Sequence, residues 1–329
     1  MSLPSLLDFQ SALIVKPSSL GDIVHTLPAV HALKTAHPHL NIRWIAKPEW
    51  LPLLDGVPDV SQTIPFPQAD FRGMGGFAKA ALWAAGWNKT GRTLPEIVFD
   101  FQGLLRSGLI SITSGSRPVV GLSDAREGAG RFYDHIIPVD ANAHAVDRYL
   151  AIPRAFGIDV APQDIVFPLA AGQPREVPPR FVLIHPYSRG EGKSLGSHEL
   201  QVLCDCLTTV PLVIVGRTSS PPTLRGRHIT DLTNQTSLPE LVWLMRQAAY
   251  VISVDSGPMH IAAAVNPNTV ALHTWSDPRK VGPYSSTALV WKAGRLAHRQ
   301  ELTAEECETS AALTEGDARR IADFLQQKL

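Results

Sequence analysis

The sequence predicts an α/β protein made of two doubly wound parallel sheets. Three observations carry this. Short apolar, β-rich runs alternate with helical patterns along both halves, at 12–15, 41–46, 96–101 and 117–122 and again at 181–185, 211–215, 250–254 and 269–273. At 329 residues the chain is too long for one ordinary core. With 44% hydrophobic residues, each half can fill a core of its own. The expected division is a first Rossmann-like domain over 1–165, a linker over 166–180 in a proline-rich stretch of low charge, and a second domain over 181–329. The last helix of the second is expected to pack back on the first.

The run ALIV at 12–15 stops at Lys16-Pro17 and reads as a buried first strand. A loop over 16–21 leads to a helix expected near Asp22, with Ile23, Leu27, Val30 and Leu33 at near-helical spacing. Pro28 falls inside that pattern and predicts a kink or restart. NIRWIA at 41–46 alternates like a second strand, and 60–66 reads as an edge strand closed by proline. An Ala- and Gly-rich helix is expected over 71–86. The strand at 96–101 ends in Asp100-Phe101-Gln102-Gly103, and a helix (LLRSGLISITSG) and a strand (RPVVGL) follow. Residues 124–147 break the rhythm; their one apolar run, 135–139, is read as part of a loop. A helix resumes over 145–156, with a kink expected at Pro153.

In the second half the strand at 181–185 feeds a loop, 186–196, that carries Arg189 and Lys193. A helix over 197–207, strands over 211–215 and 228–231, and a helix over 238–248 come next. The strand YVISV at 250–254 delivers the chain to Asp255-Ser256-Gly257-Pro258-Met259-His260, which opens a helix over 259–264. TVALH at 269–273 is a further strand, and 317–327 a terminal helix.

Lys plus Arg and Asp plus Glu both number 30, which gives no reason to expect a general nucleic-acid binder. The cysteines, Cys204, Cys206 and Cys307, are sparse and odd in number, so a disulfide framework is not expected; Cys204 and Cys206 read as buried helix residues. His185 and His260 lack partners at metal-ligand spacing, and no metal site or cofactor is expected. No G-x-G-x-x-G, G-x-x-x-x-G-K-[ST] or G-x-S-x-G is present, which argues against nicotinamide dinucleotides, phosphate-loop hydrolysis and a nucleophile elbow. A D-x-D clamp is missing as well, so a diphosphate held here would need cationic side chains and helix ends. The first ten residues lack the basic and long apolar regions of a signal peptide, and no run is long enough to span a bilayer. The expected location is cytoplasmic. A small apolar or basic patch would suffice for peripheral contact with the inner face of a plasma membrane.

Asp22 follows a glycine at the carboxyl end of the first strand, the edge where open α/β sheets gather ligands. It has two readings, a helix-start carboxylate that favours the dipole and a general base. Taken alone, the stretch favours the first, because caps outnumber catalytic acids. The Asp255–His260 turn also has two readings, an ordinary capped helix and an anion site made by free N–H groups, the Ser256 hydroxyl and close approach at Gly257. In the second reading Asp255 caps the helix or holds a ligand hydroxyl. Arg189 and Lys193 are either solvated loop charges or cations that neutralise a diphosphate.

Together these stretches resemble the ADP-heptose:lipopolysaccharide heptosyltransferases, glycosyltransferase family 9. VKPSSLGDIVHTLPAV resembles the family's N-terminal signature, and VDSGPMHIAAAVNPNTVALHTWSDPRKVGPY its donor-site motif. HPYSRGEGKSLG resembles the donor-phosphate loop, while DFQGLLRSGLI and HAVDRYLAIPRAFGI look like segments of the enzymes that add heptose to Kdo. The resemblance implies a GT-B architecture, two Rossmann-like domains with a cleft between them, the first taking the acceptor and the second the nucleotide sugar. It implies an inverting, metal-independent transfer from an ADP-heptose donor to a lipopolysaccharide inner-core acceptor. It puts Asp22 at the catalytic-base position and Ser188, Arg189, Lys193, Asp255, Ser256, Gly257 and His260 in the donor site, with Thr236 beside adenine. On the acceptor side Ser19, Arg106, Arg126, Arg131 and Arg148 are the candidates, the arginines for Kdo carboxylates. Two stretches depart from the pattern: 66–91 carries only the scattered Arg72, Lys79 and Lys89, and 217–222 reads RTSSPP without acids. They keep open a related enzyme with another nucleotide sugar and a less anionic acceptor. A non-catalytic nucleotide-sugar binder is the third reading.

Overall fold

The computed structural model describes all residues except 1–2, 72–78, 80–82, 84–85, 87–93 and 191. Most of the helix expected over 71–86, and Arg72 and Lys89, lie outside the described residues. The chain forms two compact units, Met1–Ala170 and Ala171–Leu329.

The first unit opens on β1 (Ser11–Val15), whose residues are all buried. It continues through α1 (Leu20–Ala36), β2 (Asn41–Ala46), β3 (Gln62–Pro65) and β4 (Ile97–Asp100). Then come α2 (Leu105–Thr113), β5 (Val119–Leu122), β6 (His135–Ile137) and α3 (Ala145–Ala155). The sheet is wholly parallel in the order β3-β2-β1-β4-β5-β6. Strands covered on both faces are predominantly apolar, which is why the stretches 12–15, 97–99 and 119–122 of β1, β4 and β5 stand out as apolar runs. β6 corrects the loop reading of 135–139. Only Ile137 of this edge strand is buried, so its sequence carries little strand signal.

The helix near Asp22 starts earlier than expected, at Leu20, because Ser19 is its N-cap. It also runs unbroken through Pro28. A proline here removes one backbone donor, and the burial of Leu27, Pro28, Ala29 and Val30 outweighs that loss. α3 likewise continues through Pro153 as one helix.

The second unit repeats the plan with β7 (Val182–His185), α4 (Ser197–Cys206), β8 (Leu212–Ile214), β9 (Ile229–Asp231) and α5 (Leu238–Gln247). β10 (Tyr250–Val254), α6 (Gly257–Val265), β11 (Thr269–His273), β12 (Leu289–Lys292), β13 (Arg295–His298) and α7 (Glu315–Gln326) complete it. The order is β13-β12-β11-β10-β7-β8-β9, parallel except for the terminal β12–β13 hairpin. The apolar face of α7, Ala318, Ile321, Ala322 and Leu325, is spent in this unit's core with Leu200 and Leu203 of α4. Among the described residues no helix is long and apolar enough to cross a membrane.

Candidate active site

The strand order of the first sheet reverses between β1 and β4, the place where open α/β sheets hold ligands. A pocket of about 350 Å³ lies there. Lys16 and Asp22 after β1, the 100–103 loop after β4, Asp124 and Arg126 after β5, and Arg148 and Tyr149 on α3 line it.

Asp22 is the third residue of α1 and half-buried. Its Oδ2 accepts from the Ser19 hydroxyl (2.6 Å) and the Ser19 N–H (3.1 Å), a capping box. Its Oδ1 lies 3.4 Å from the Tyr149 hydroxyl, which donates to it. Behind Tyr149, the Lys16 ammonium is buried and donates to Tyr149 Oη (2.8 Å) and the Phe101 carbonyl (2.9 Å). Burial pulls the Lys16 pKa below its ordinary value, against the charges of Asp22 and Asp100. Burial, with Asp22's charge, pushes the Tyr149 phenol well above its own. Asp100 accepts from the N–H groups of Gln102 (2.9 Å) and Gly103 (3.1 Å) and from Tyr133 Oη (2.9 Å). Burial nonetheless raises its pKa. Gly121 is required for the Tyr133 contact, since a Cβ there would stand 2.2 Å from the ring.

Of the arginines expected to face an acceptor, Arg126 and Arg148 line this pocket. Arg148 is ion-paired with Asp124, and its Nε is buried without a hydrogen-bond partner among the described residues. Arg106 and Arg131 do not line it; their side chains are exposed on α2 and on the helical turn Ala129–Phe132. Ser19 turns its hydroxyl to Asp22.

The second sheet reverses between β7 and β10, and the expected donor residues gather at the loops that leave these strands. Ser188 donates its hydroxyl to the Asp255 carbonyl (3.1 Å), which joins the two loops. Lys193 Nζ is 2.5 Å from Asp255 Oδ2 and 4.3 Å from the centre of the Trp275 ring. Asp255 also accepts from Ser276 (2.5 Å), whose Oγ is 2.9 Å from His273 Nδ1. The N-cap of α6 is therefore Ser256, and Asp255 turns away from the cap role. The Ser256 hydroxyl donates back to Val254 O (3.1 Å), so the helix start at Gly257 carries no side-chain cap. Burial raises the Asp255 pKa, and His273, Lys193 and Ser276 outweigh it, which leaves the carboxyl below the ordinary range. Arg189 is exposed on the Lys193 loop, and His260 is buried in α6. Thr236 is buried in the turn after β9, next to the Ser237 cap of α5, and so belongs to a different loop.

The sequence reading missed Lys16, Tyr149, His273 and Ser276. Lys16 and His273 share one signal: each stands at or just past the carboxyl end of a buried central strand. Burial pushes the pKa of His185 and His273 down to about 4. An unfolded chain protonates them near 6.5, so their neutral burial supports the fold above that pH, and the support is lost as pH falls toward 4. Each costs about 1.4 kcal/mol per pH unit inside this window. Urea unfolding between pH 6.5 and 4.5 should show stability falling with acid, and His273→Gln should flatten the slope. An unchanged slope would refute the assignment.

Residues 220–311 match the family model of glycosyltransferase family 9 (heptosyltransferase). The chain is 27% identical to lipopolysaccharide heptosyltransferase 1 of Pseudomonas aeruginosa over 303 residues, 83% of this chain and 81% of that protein. It superposes on the E. coli heptosyltransferase WaaC with ADP-2-deoxy-2-fluoro heptose at a TM-score of 0.77 and 19% identity, covering 97% of this chain and all (100%) of the other. On the E. coli ADP-heptose lipopolysaccharide heptosyltransferase II the score is 0.72 at 20% identity, with 97% and 100% covered. The fold shared with these structures is GT-B.

Proposed function

Because this chain is a glycosyltransferase that carries a family 9 (heptosyltransferase) domain, we propose that it moves heptose from ADP-heptose to an inner-core lipopolysaccharide acceptor of the Kdo–lipid A type, with inversion and without a metal. The carrying observation is the division of labour between the units. One holds a carboxylate in a cation-flanked pocket, the other a lysine beside an uncapped helix start. Asp22 takes the acceptor hydroxyl's proton as the new bond forms at the anomeric carbon. ADP leaves, and its growing charge falls on Lys193 and the amides that open α6. Arg126 and the Nε of Arg148 receive acceptor carboxylates. Such an acceptor sits in a membrane, so the enzyme would work at the inner face of the plasma membrane. The RTSSPP stretch supports a second reading, the same chemistry with another nucleotide sugar.

Calorimetry of ADP-heptose against ADP, UDP-glucose and GDP-mannose tests the donor, followed by transfer to Kdo–lipid A with and without EDTA. Preference for ADP-heptose and transfer that survives EDTA are expected. A uridine or guanosine preference moves the protein to the second reading, and loss of transfer in EDTA overturns metal independence.

A further inference from the structure

The geometry points to Lys16 and Tyr149 as positioning residues that hold Asp22 ionised and oriented in its pocket, an inference that rests on reading Asp22 as the base. Lys16 occupies an expensive place. Its ammonium is buried, and it donates to a carbonyl and a phenol, both neutral. Burying an ammonium costs several kcal/mol unless nearby charge compensates. A side chain needed only for packing would do better as methionine. The main chain is pinned as well: Trp44 Nε1 donates to the Lys16 carbonyl at 3.2 Å.

Tyr149 links this cation to the carboxylate. Its oxygen accepts from Lys16, so its own proton is directed elsewhere, and Asp22 Oδ1 is the acceptor. With a pKa well above 10 the phenol remains a donor at any working pH. The ring is held edge-on by Phe101, with centroids 5.7 Å apart at 85°. Ser19 fixes the other carboxylate oxygen. Asp22 is thus held at both oxygens, one by its own helix cap and one by a chain that ends in a positive charge.

The other charged groups facing this chain decide whether Lys16 matters. Arg148 is ion-paired with Asp124 and is less deeply buried than Lys16, though its charge still reaches Lys16 and Tyr149. Asp100 is pushed toward its neutral form by burial. Arg126 is exposed at the rim, where solvent screens it. His25, one turn beyond Asp22, stacks edge-on with His144 at 5.1 Å. Among the described residues Lys16 is the deeply buried cation joined to Asp22 through two hydrogen bonds. A positive charge at such range lowers a carboxylate pKa by about 1 unit or more.

The test is a pH titration of the full chain with its aspartate side-chain carboxyls labelled with carbon-13, Asp22→Asn identifying the Asp22 resonance. Lys16→Met should raise the Asp22 midpoint by about 1 pH unit, and Tyr149→Phe by less. In turnover, both should lower kcat about tenfold, move its acid limb up with the midpoint, and leave calorimetric donor affinity unchanged. If Lys16→Met does not fold by thermal melting, Tyr149→Phe decides. An unmoved Asp22 midpoint in folded variants overturns the inference. A moved midpoint in a protein that transfers to no acceptor overturns the base reading instead and leaves the Lys16–Tyr149 assignment standing.

Discussion

Asp22→Asn should lower kcat by about 10² to 10⁴, the range that a positioned general base contributes, while the fold and donor binding stay nearly intact. The same substitution separates the two readings of this residue. As the third residue of α1, Asp22 accepts the Ser19 N–H and hydroxyl through one oxygen. Asparagine keeps that oxygen, so the capping box survives and the expected loss of stability stays below about 1 kcal/mol. Asparagine cannot take a proton from a hydroxyl. A residue that served only the helix would therefore show a small stability change and undiminished turnover. A base shows the reverse. The residues assigned to the donor all lie in the other unit, so ADP-heptose affinity should not move. Turnover with saturating donor and acceptor, thermal melting and donor calorimetry form one set. Retained transfer, or lost donor binding, defeats the assignment.

The legible parts of this chain are those where burial is one-sided in its demands. β10 and β11 are readable to the residue, because a strand covered on both faces is mostly apolar and β-branched, with its few polar residues, Ser253, Thr269 and His273, buried as well. The β12–β13 hairpin was not. Its turn places Ala293 and Gly294 at positive φ (49° and 83°), and an alanine gives no sign of that conformation. Buried Lys292 also breaks its apolar run. The same logic divides the site. Asp22 and the Asp255–Gly257 turn follow strands and carry glycine or proline punctuation, so they announce themselves. Lys16 is equally close to a strand end, yet a lysine before proline reads as solvent-facing loop, and only the tertiary partners Phe101 and Tyr149 make its burial possible. The sequence shows the charge of Arg126, Arg148, Arg106 and Arg131 alike. Which face of a helix or turn each one takes is set by packing, and packing keeps the second pair out of the pocket.

Lys193→Ala is the second large effect, and its size should exceed that of one lost hydrogen bond. A charge-assisted bond to a phosphate is worth about 1.5–3 kcal/mol, or roughly 10- to 150-fold in Kd. Lys193 does a second job, because it stands against Asp255, whose carboxyl is kept ionised at neutral pH. His273 is uncharged there, with a pKa of about 4, so the positive charge on Asp255 comes from Lys193. Removing the lysine leaves a buried anion, bonded among the described residues through the neutral Ser276, next to the place proposed for a diphosphate. Like charges that close repel, which adds to the missing attraction. Two consequences follow that a plain loss of contact would not produce. Lys193→Ala should weaken ADP-heptose binding by about 100-fold or more, and Lys193→Ala with Asp255→Asn should recover part of that loss, a coupling that a double-mutant cycle reads directly. Binding should also become less sensitive to salt in the single variant, since the attraction that salt screens is gone. Unchanged affinity in Lys193→Ala would remove this loop from the donor site. Losses that simply add in the double variant would mean that Lys193 serves the donor and Asp255 independently, and that the 2.5 Å contact between them is no part of how the site accepts a diphosphate.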